Sequence, residues 1–336
     1  GFNIGDETVH DVMGPSAIGG GVMCVGCHTS TPDGKFVGFT AQGPWGNAVA
    51  SIEAMSAGHE PPFLGMGAIG ALDGLSPLGI QTYSKAHWSN GDHVMLAPYG
   101  DSNNAQVQLV WVDLEATTNA QGQSWGVVAR NGDGQGVGAP TWSHDGKTIV
   151  YVSTNAEFTG RLDNGTADLY AVPYANKQGG AAAPVQGASD PDLEEFYPAF
   201  SPDDALLAFN RVPLNTNMYN QPLDELYVVP AKGGSPTRLD ANDPPACTAK
   251  TSPGVTNAWP KWAPEATKVG SKTYYWLVFS STRSEAGNPQ LYVTGVVDDA
   301  GQITSYASLY LWNQPADEDN HTPAWDVFKI PPANPH

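Results

Sequence analysis

Residues 24–28 read CVGCH. Two cysteines two residues apart, with a histidine directly after the second, form the attachment pattern for c-type haem. The chemistry requires this spacing. Two thioether bonds to the porphyrin vinyl groups need two thiols across a short turn, and the adjoining imidazole is then held under the iron as its proximal ligand. Gly26, between the cysteines, permits the tight approach. On this reading Cys24 and Cys27 tether one covalent haem c and His28 ligates its iron. A CxxC pair also serves as a redox disulfide or as half of a zinc site. A zinc site needs further ligands at suitable spacing, and no second CxxC exists. A thioredoxin-like motif expects a βαβ context, which is absent. A Cys24–Cys27 disulfide stays open as the competing reading. Cys247 is the third and last cysteine, read as a small buried or loop thiol. Its pairing with either motif cysteine would exclude the haem.

The elements that would position this motif come from an internal repeat. The stretches HTSTPDGKFVGFTA (28–41), AHWSNGDHVMLAPY (86–99), PTWSHDGKTIVYVS (140–153) and PAFSPDDALLAFNR (198–211) share one layout, as do the openings PKWAPEATKVG from 260 and PAWDVFKIPP from 323. Their aligned positions are Ser30, Trp88, Trp142, Phe200, Trp262 and Trp325, separated by 58, 54, 58, 62 and 63 residues. Each unit reads as a Pro-x-aromatic strand, a DGK-like hairpin turn, an alternating strand, a third strand such as QLVWVDL (108–114) or ELYVVPA (225–231), and a weaker fourth. No segment carries a long helical period. Repeated four-stranded units close radially into a β-propeller, which leaves only short, protected edges.

At this point the chain resembles the TolB-like propeller repeats. FSSTRSEAGNPQLYV from Phe279 is similar to their second-to-third strand passage, and PTWSHDGKTIVYVS and PAFSPDD to their strand openings. The resemblance covers roughly residues 28–325 and implies an exported, often protein-binding propeller, commonly six-bladed. The expected fold is therefore all-β: one propeller domain over 1–336 with six blades. Five complete repeats of about 58 residues occupy 28–318. A composite sixth blade, opened near Trp325, is closed by the N-terminal segment 1–27.

The repeat alignment sets His28 at the position of Pro140 and Cys27 at that of Ala139, on the innermost strand of blade one. A haem there lies near the mouth of the central channel. His321, just ahead of the sixth opening, is the candidate second iron ligand, with Met66, Met23, His10 and His87 behind it. A histidine and a methionine set different potentials. A site with no second ligand would suit peroxidase-like or gas-binding chemistry.

Composition narrows the function classes. The 336 residues hold 34 Asp and Glu against 15 Lys and Arg, a formal net charge of −19. A nucleic-acid partner needs a basic footprint, which is missing, and a basic protein partner would be steered toward this surface. No run of eighteen apolar residues suggests a transmembrane helix. Covalent haem attachment places the chain in the periplasm or outside the cell. No G-x-S-x-G elbow, phosphate loop or H-E-x-x-H motif is present. The Asp/Asn-rich stretches from Asp101 and Arg161 suit calcium, though they read first as solvated turns, and the acidic run 190–195 reads as a solvated loop. The sequence thus points to a haem-bearing electron-transfer protein or a haem subunit of a larger redox assembly. The alternatives are a protein-binding propeller with a Cys24–Cys27 disulfide and a haem enzyme with an open distal site.

Overall fold

A computed structural model describes the chain except residues 4, 43–44, 54, 76–79, 101–106, 156–165, 219, 286, 321 and 328–336. Strands dominate it, and antiparallel sheets follow one another along the sequence. Blade one is Gly26–Ser30, Phe36–Gln42 and Trp45–Ser51. Blade two is Val94–Tyr99, Gln108–Asp113 and Trp125–Val127, with Thr82 bridging Leu96 on its inner side. Blade three is Gly136–Trp142, Thr148–Thr154, Ala167–Pro173 and Ala183–Pro184. Blade four is Leu193–Phe200, Leu206–Pro213, Glu225–Pro230 and Thr237–Arg238. Blade five is Asn257–Trp262, Lys272–Ser281, Gln290–Asp299 and Gln302–Ser305, with Thr267–Val269 and Leu309–Tyr310 added at its edges.

The propeller therefore has five blades, and the expected sixth is corrected. Residues 322–327 form no strand, so among the described residues the opening at Trp325 starts no blade. The N-terminal segment supplies no outer strands either. Its Val12, Met13, Ile18, Val22 and Val25 pack on the Val37, Phe39, Ala50 and Ile52 face of blade one. The two terminal segments do meet, since Asn313 Nδ2 donates to the Asp6 carbonyl at 3.2 Å.

The DGK-like turns are built by one device. Thr31, Ser143 and Ser201 donate to Asp33, Asp145 and Asp203 at 2.6, 2.8 and 2.7 Å. Each aspartate then accepts the backbone N–H two residues on, from Lys35, Lys147 and Ala205. This Asx geometry tightens the hairpin locally, and the left-handed residue after each aspartate (Gly34, Gly146, Asp204) completes it.

Blades stack through repeat-spaced bonds. Trp262 Nε1 donates to the Ala199 carbonyl at 2.9 Å, and Trp142 N–H to Thr82 Oγ1 at 3.2 Å. Trp88, Trp142, Phe200 and Trp262 are buried, as the repeat required, whereas Trp325 is half-buried. Two local readings change. The opening of blade two is helical over Lys85–Ser89, and its inner pairing shifts upstream to Thr82. A ten-residue helix, Met66–Leu75, packs against strands of blades one and two. Its glycines hid it from a propensity reading, but they are needed: a Cβ at Gly67 would collide with the Thr118 backbone.

Candidate functional site

Each innermost strand of blades one, three, four and five breaks register in its middle. The breaks lie between Gly26 and Thr29, Gly138 and Thr141, Phe196 and Ala199, and Ala258 and Lys261. At each break a non-glycine residue takes a left-handed conformation: Cys27 (φ 46°), Ala139 (34°), Tyr197 (52°) and Trp259 (59°). These are β-bulges, which re-aim the bulged side chains. Ala139, Tyr197 and Trp259, with Pro140, Pro198 and Pro260 after them, line the central channel. Cys27 and His28 hold the equivalent positions in blade one.

The bulge brings the motif together. Cys24 Sγ donates to the Thr40 carbonyl at 3.6 Å, and the Cys27 thiol faces the same threonine, with Cys24 close enough to raise its pKa. Burial is the larger cause of that rise. His28 is held neutral, its pKa lowered to about 4 by burial and then by the nearby Lys261. A neutral imidazole is the form that binds a metal.

Asn47 pairs across the sheet with Thr40, and among the described residues both polar atoms of its buried side chain lack a hydrogen-bond partner. Orphaned buried amides are uncommon and call for a specific explanation. Two adjacent thiols and a neutral histidine make a donor set that fits a covalently held haem. The void between Ala139, Tyr197, Trp259 and Lys261 measures about 10 Å³, room for roughly one water and not for a macrocycle.

The other candidates for the second iron position are placed as follows. His321 lies outside the described residues. His87 is engaged at both nitrogens, by Asp92 at 2.7 Å and the Gly146 carbonyl at 3.1 Å, and its ring packs on Trp142. Met66 is exposed at the start of a helix packed on blades one and two, and Met23 is exposed beside Cys24. His10 sits in the N-terminal segment, where its carbonyl accepts from the Gly1 amine. Cys247 is an exposed thiol in the short 3-10 helix Ala246–Thr248 rather than in a loop, and all three cysteines are unbridged. The stretch from Asp101 to Gln106 and the first half of that from Arg161 also fall outside the described residues.

The reading of the acidic run 190–195 holds for the exposed Asp192 and is corrected at its end. Glu194 and Glu195 are buried in the innermost strand of blade four rather than solvated. Arg211 Nη2 reaches Glu195 Oε1 at 2.8 Å, and the Asn215 N–H donates to Glu194 at 2.8 Å. Two residues emerge that the sequence reading passed over. Lys261 lines the channel where blades one and three have Thr29 and Thr141. Asp326, next to Trp325, hydrogen-bonds Ser30 and is also near Lys261 and His144. The signal for the lysine was legible in PKW, where sibling openings read PTW and PAF.

Among the described residues no group of three His, Cys, Asp or Glu side chains is arranged to hold a metal ion, and no helix is long and apolar enough to cross a membrane. No protein-family model matches the chain. No curated protein matches it either. Solved structures similar to it include a TolB from Agrobacterium tumefaciens, at 14% identity and TM-score 0.45 over 85% of this chain and 81% of that one. An oligogalacturonate lyase in complex with manganese aligns at 13% identity and TM-score 0.43, over 86% and 66% of the two chains. Kuenenia stuttgartiensis hydrazine synthase aligns at 12% identity and TM-score 0.39, over 96% and 72%.

Proposed function

We propose that this chain is an exported, TolB-like propeller that carries one covalent haem c at its channel mouth and serves in electron transfer, either alone or as the haem-bearing subunit of a larger redox assembly. The observation that carries the reading is the bulge of blade one, which sets Cys24 and Cys27 on one threonine and follows them with a neutral His28. When bound, the haem supplies one-electron exchange at iron.

The chain's own residues do the rest. Cys24 and Cys27 would hold the group, and the short bulge between them fixes which way it faces. His28, the next residue, would be oriented by the same bulge, between the ladder pairs of Gly26 and Thr29. His321 is the proposed second ligand. With a net charge of −19, the surface would steer a basic redox partner toward the protein.

The assembly half of the reading has support on blade five. Trp276 and Leu309 are 50% and 62% exposed, and Tyr306 lies beside Trp276 over Gly295. An exposed aromatic patch of this kind marks an interaction surface.

The test is the intact mass of the denatured chain, produced in a host that matures c-type cytochromes. One covalent haem on the wild type and none on a Cys24→Ser, Cys27→Ser double variant supports the reading; an unmodified wild type overturns it. The proximity of both thiols to Thr40 also favours a second reading, a protein-binding propeller with a Cys24–Cys27 disulfide. That reading predicts an unmodified chain two hydrogens lighter than its reduced mass. A haem-bearing chain with high-spin iron would instead be an enzyme with an open, peroxidase-like site.

A further inference from the structure

Blade five carries a sheet face that, among the described residues, no further blade covers. The repeat register identifies it. Trp262 pairs with Leu277 in blade five as Phe200 pairs with Leu207 in blade four. Trp276 therefore holds the position of Leu206, and Val293, across from Val278, holds that of Val228, across from Ala208. In blade four Leu206, Ala208 and Val228 are buried in one cluster with Tyr275, Leu277 and Phe279 of blade five. The matching face of blade five points the other way and stays bare. Trp276 and Tyr306 lie side by side over Gly295, and both are exposed. Tyr274 shares their face two residues before Trp276, and Val269 and Leu309 join it through their pairing with Lys272 and Val293. All three are exposed as well. These five side chains leave uncovered on the order of 500 Å² of mostly apolar surface, in the upper part of what a monomer exposes. A polar margin of a few residues brings the face to the roughly 800 Å² per partner that a stable protein interface buries.

We infer that this face of blade five is a two-fold interface with a second copy of the same chain, packed sheet on sheet as neighbouring blades are. Charge selects the occupant. The chain carries −19 overall, yet the ladder positions of this face hold one cation, Lys272, directly across from one anion, Asp299. A strongly basic partner finds no complementary charge here. A neutral face with its cation beside its anion is complementary to itself: a two-fold axis running along the strands between them sets Lys272 of each copy over Asp299 of the other. The head-to-tail alternative is blocked. It needs the Val37, Phe39, Ala50 and Ile52 face of blade one, which the N-terminal segment already covers. The association therefore closes at two copies and cannot grow into a filament. The inference rests on the assembly half of the proposed function and not on the haem.

The experiment is sedimentation velocity on the full chain without haem, over about 1 to 200 µM, at about 0.05 and 0.5 M NaCl. The wild type should dimerise and form nothing larger. Salt screens the repulsion between two copies that each carry −19 and leaves apolar contact intact, so the dimer should tighten at least threefold at the higher salt. Trp276→Ser combined with Tyr306→Ser should weaken it at least tenfold, since exposed aromatic anchors carry most of such an interface, while the far-ultraviolet circular dichroism stays unchanged. A chain that is monomeric at the highest concentration overturns the inference, as does a dimer that survives both substitutions, one that loosens with salt, or association beyond two copies. If the double variant folds poorly, Leu309→Asp tests the same face and should weaken the dimer at least tenfold; unaltered association would overturn the inference as well. A monomeric chain that still gains haem in a maturing host would sink this inference and leave the haem reading standing.

Discussion

Gly38→Ala is expected to destabilise the propeller and to disturb the haem motif with it. Gly38 pairs directly with Thr29, on the strand that carries Cys27 and His28. An added Cβ would overlap Gln81 Oε1 and the Tyr83 hydroxyl, and would lie 2.8 Å from Gln81 Cδ. Gln81 is fully buried and joins blades one and two. Its Nε2 donates to the Phe39 and Ala48 carbonyls at 3.1 and 3.2 Å, and its Oε1 accepts from Tyr83 at 2.7 Å. Overpacking a close-packed site costs about 1–3 kcal/mol, and each weakened buried hydrogen bond roughly 1 kcal/mol more, so Gly38→Ala should cost about 2–4 kcal/mol in all. Urea unfolding of the haem-free chain measures it. The cycle with Gln81→Ala isolates the cause. Removing Gln81 clears the obstacle and frees the Tyr83 hydroxyl to move, so Gly38→Ala should cost less than about 1 kcal/mol in that background. Full additivity of the two substitutions would refute the reasoning, since Gln81 would then not be what the methyl meets.

Three further outcomes are expected. His28 is held neutral to about pH 4, whereas in the unfolded chain it titrates near 6.5. The unfolded state therefore binds the proton first, and His28 costs stability as pH falls from 6.5 toward 4. Relative to His28→Asn, the haem-free wild type should lose about 2 kcal/mol between pH 7 and 4.5, read from urea curves at both pH values, and a constant gap would contradict the burial of the imidazole. Arg283, 3% exposed, donates to Ser281, Ser308, Asn257 Oδ1 and the Ala241 and Asn242 carbonyls between blades four and five. Arg283→Met strands these acceptors and should cost about 3–5 kcal/mol in the same assay, while a loss under about 1 kcal/mol would mean the network reorganises freely. A Cys24→Ser single variant produced in a maturing host should keep at most one thioether, visible as a red-shifted reduced α-band, whereas a band like the wild type's would show that Cys24 bears no bond.

The blade pattern was legible because the turn device is local. Thr31-Pro-Asp33, Ser143-His-Asp145 and Ser201-Pro-Asp203 each encode a hairpin from their own hydrogen bonds, and the aromatic residue before or within the opening marks the inner strand. The placement of Cys27 opposite Ala139 was legible for the same reason, and the shared left-handed bulge bears it out. Blade number was not legible. PAWD at 323–326 has the letters of an opening, but no partner strand follows among the described residues, and Asp326 turns to Ser30 instead. The opening at Trp88 misled in a different way. Lys85–Ser89 forms a short helix whose His87 bonds Asp92 and Gly146, so tertiary pairing overrode the local pattern. Glu194 and Glu195 read as solvated because their compensation comes from elsewhere in the chain. Arg211 lies sixteen residues away from Glu195, and composition alone cannot show that it folds back. Lys261 carried a signal only by comparison with the threonine and alanine of its sibling repeats.

The central claim is that CVGCH anchors a haem. The most direct measurement is the ultraviolet–visible spectrum of the protein, produced in a host able to mature c-type cytochromes and denatured in alkaline pyridine, before and after dithionite. The account predicts a c-type haemochrome at one haem per chain that survives acid–acetone extraction. A colourless protein from such a host would contradict it and leave a propeller whose Cys24 and Cys27 serve as a thiol pair.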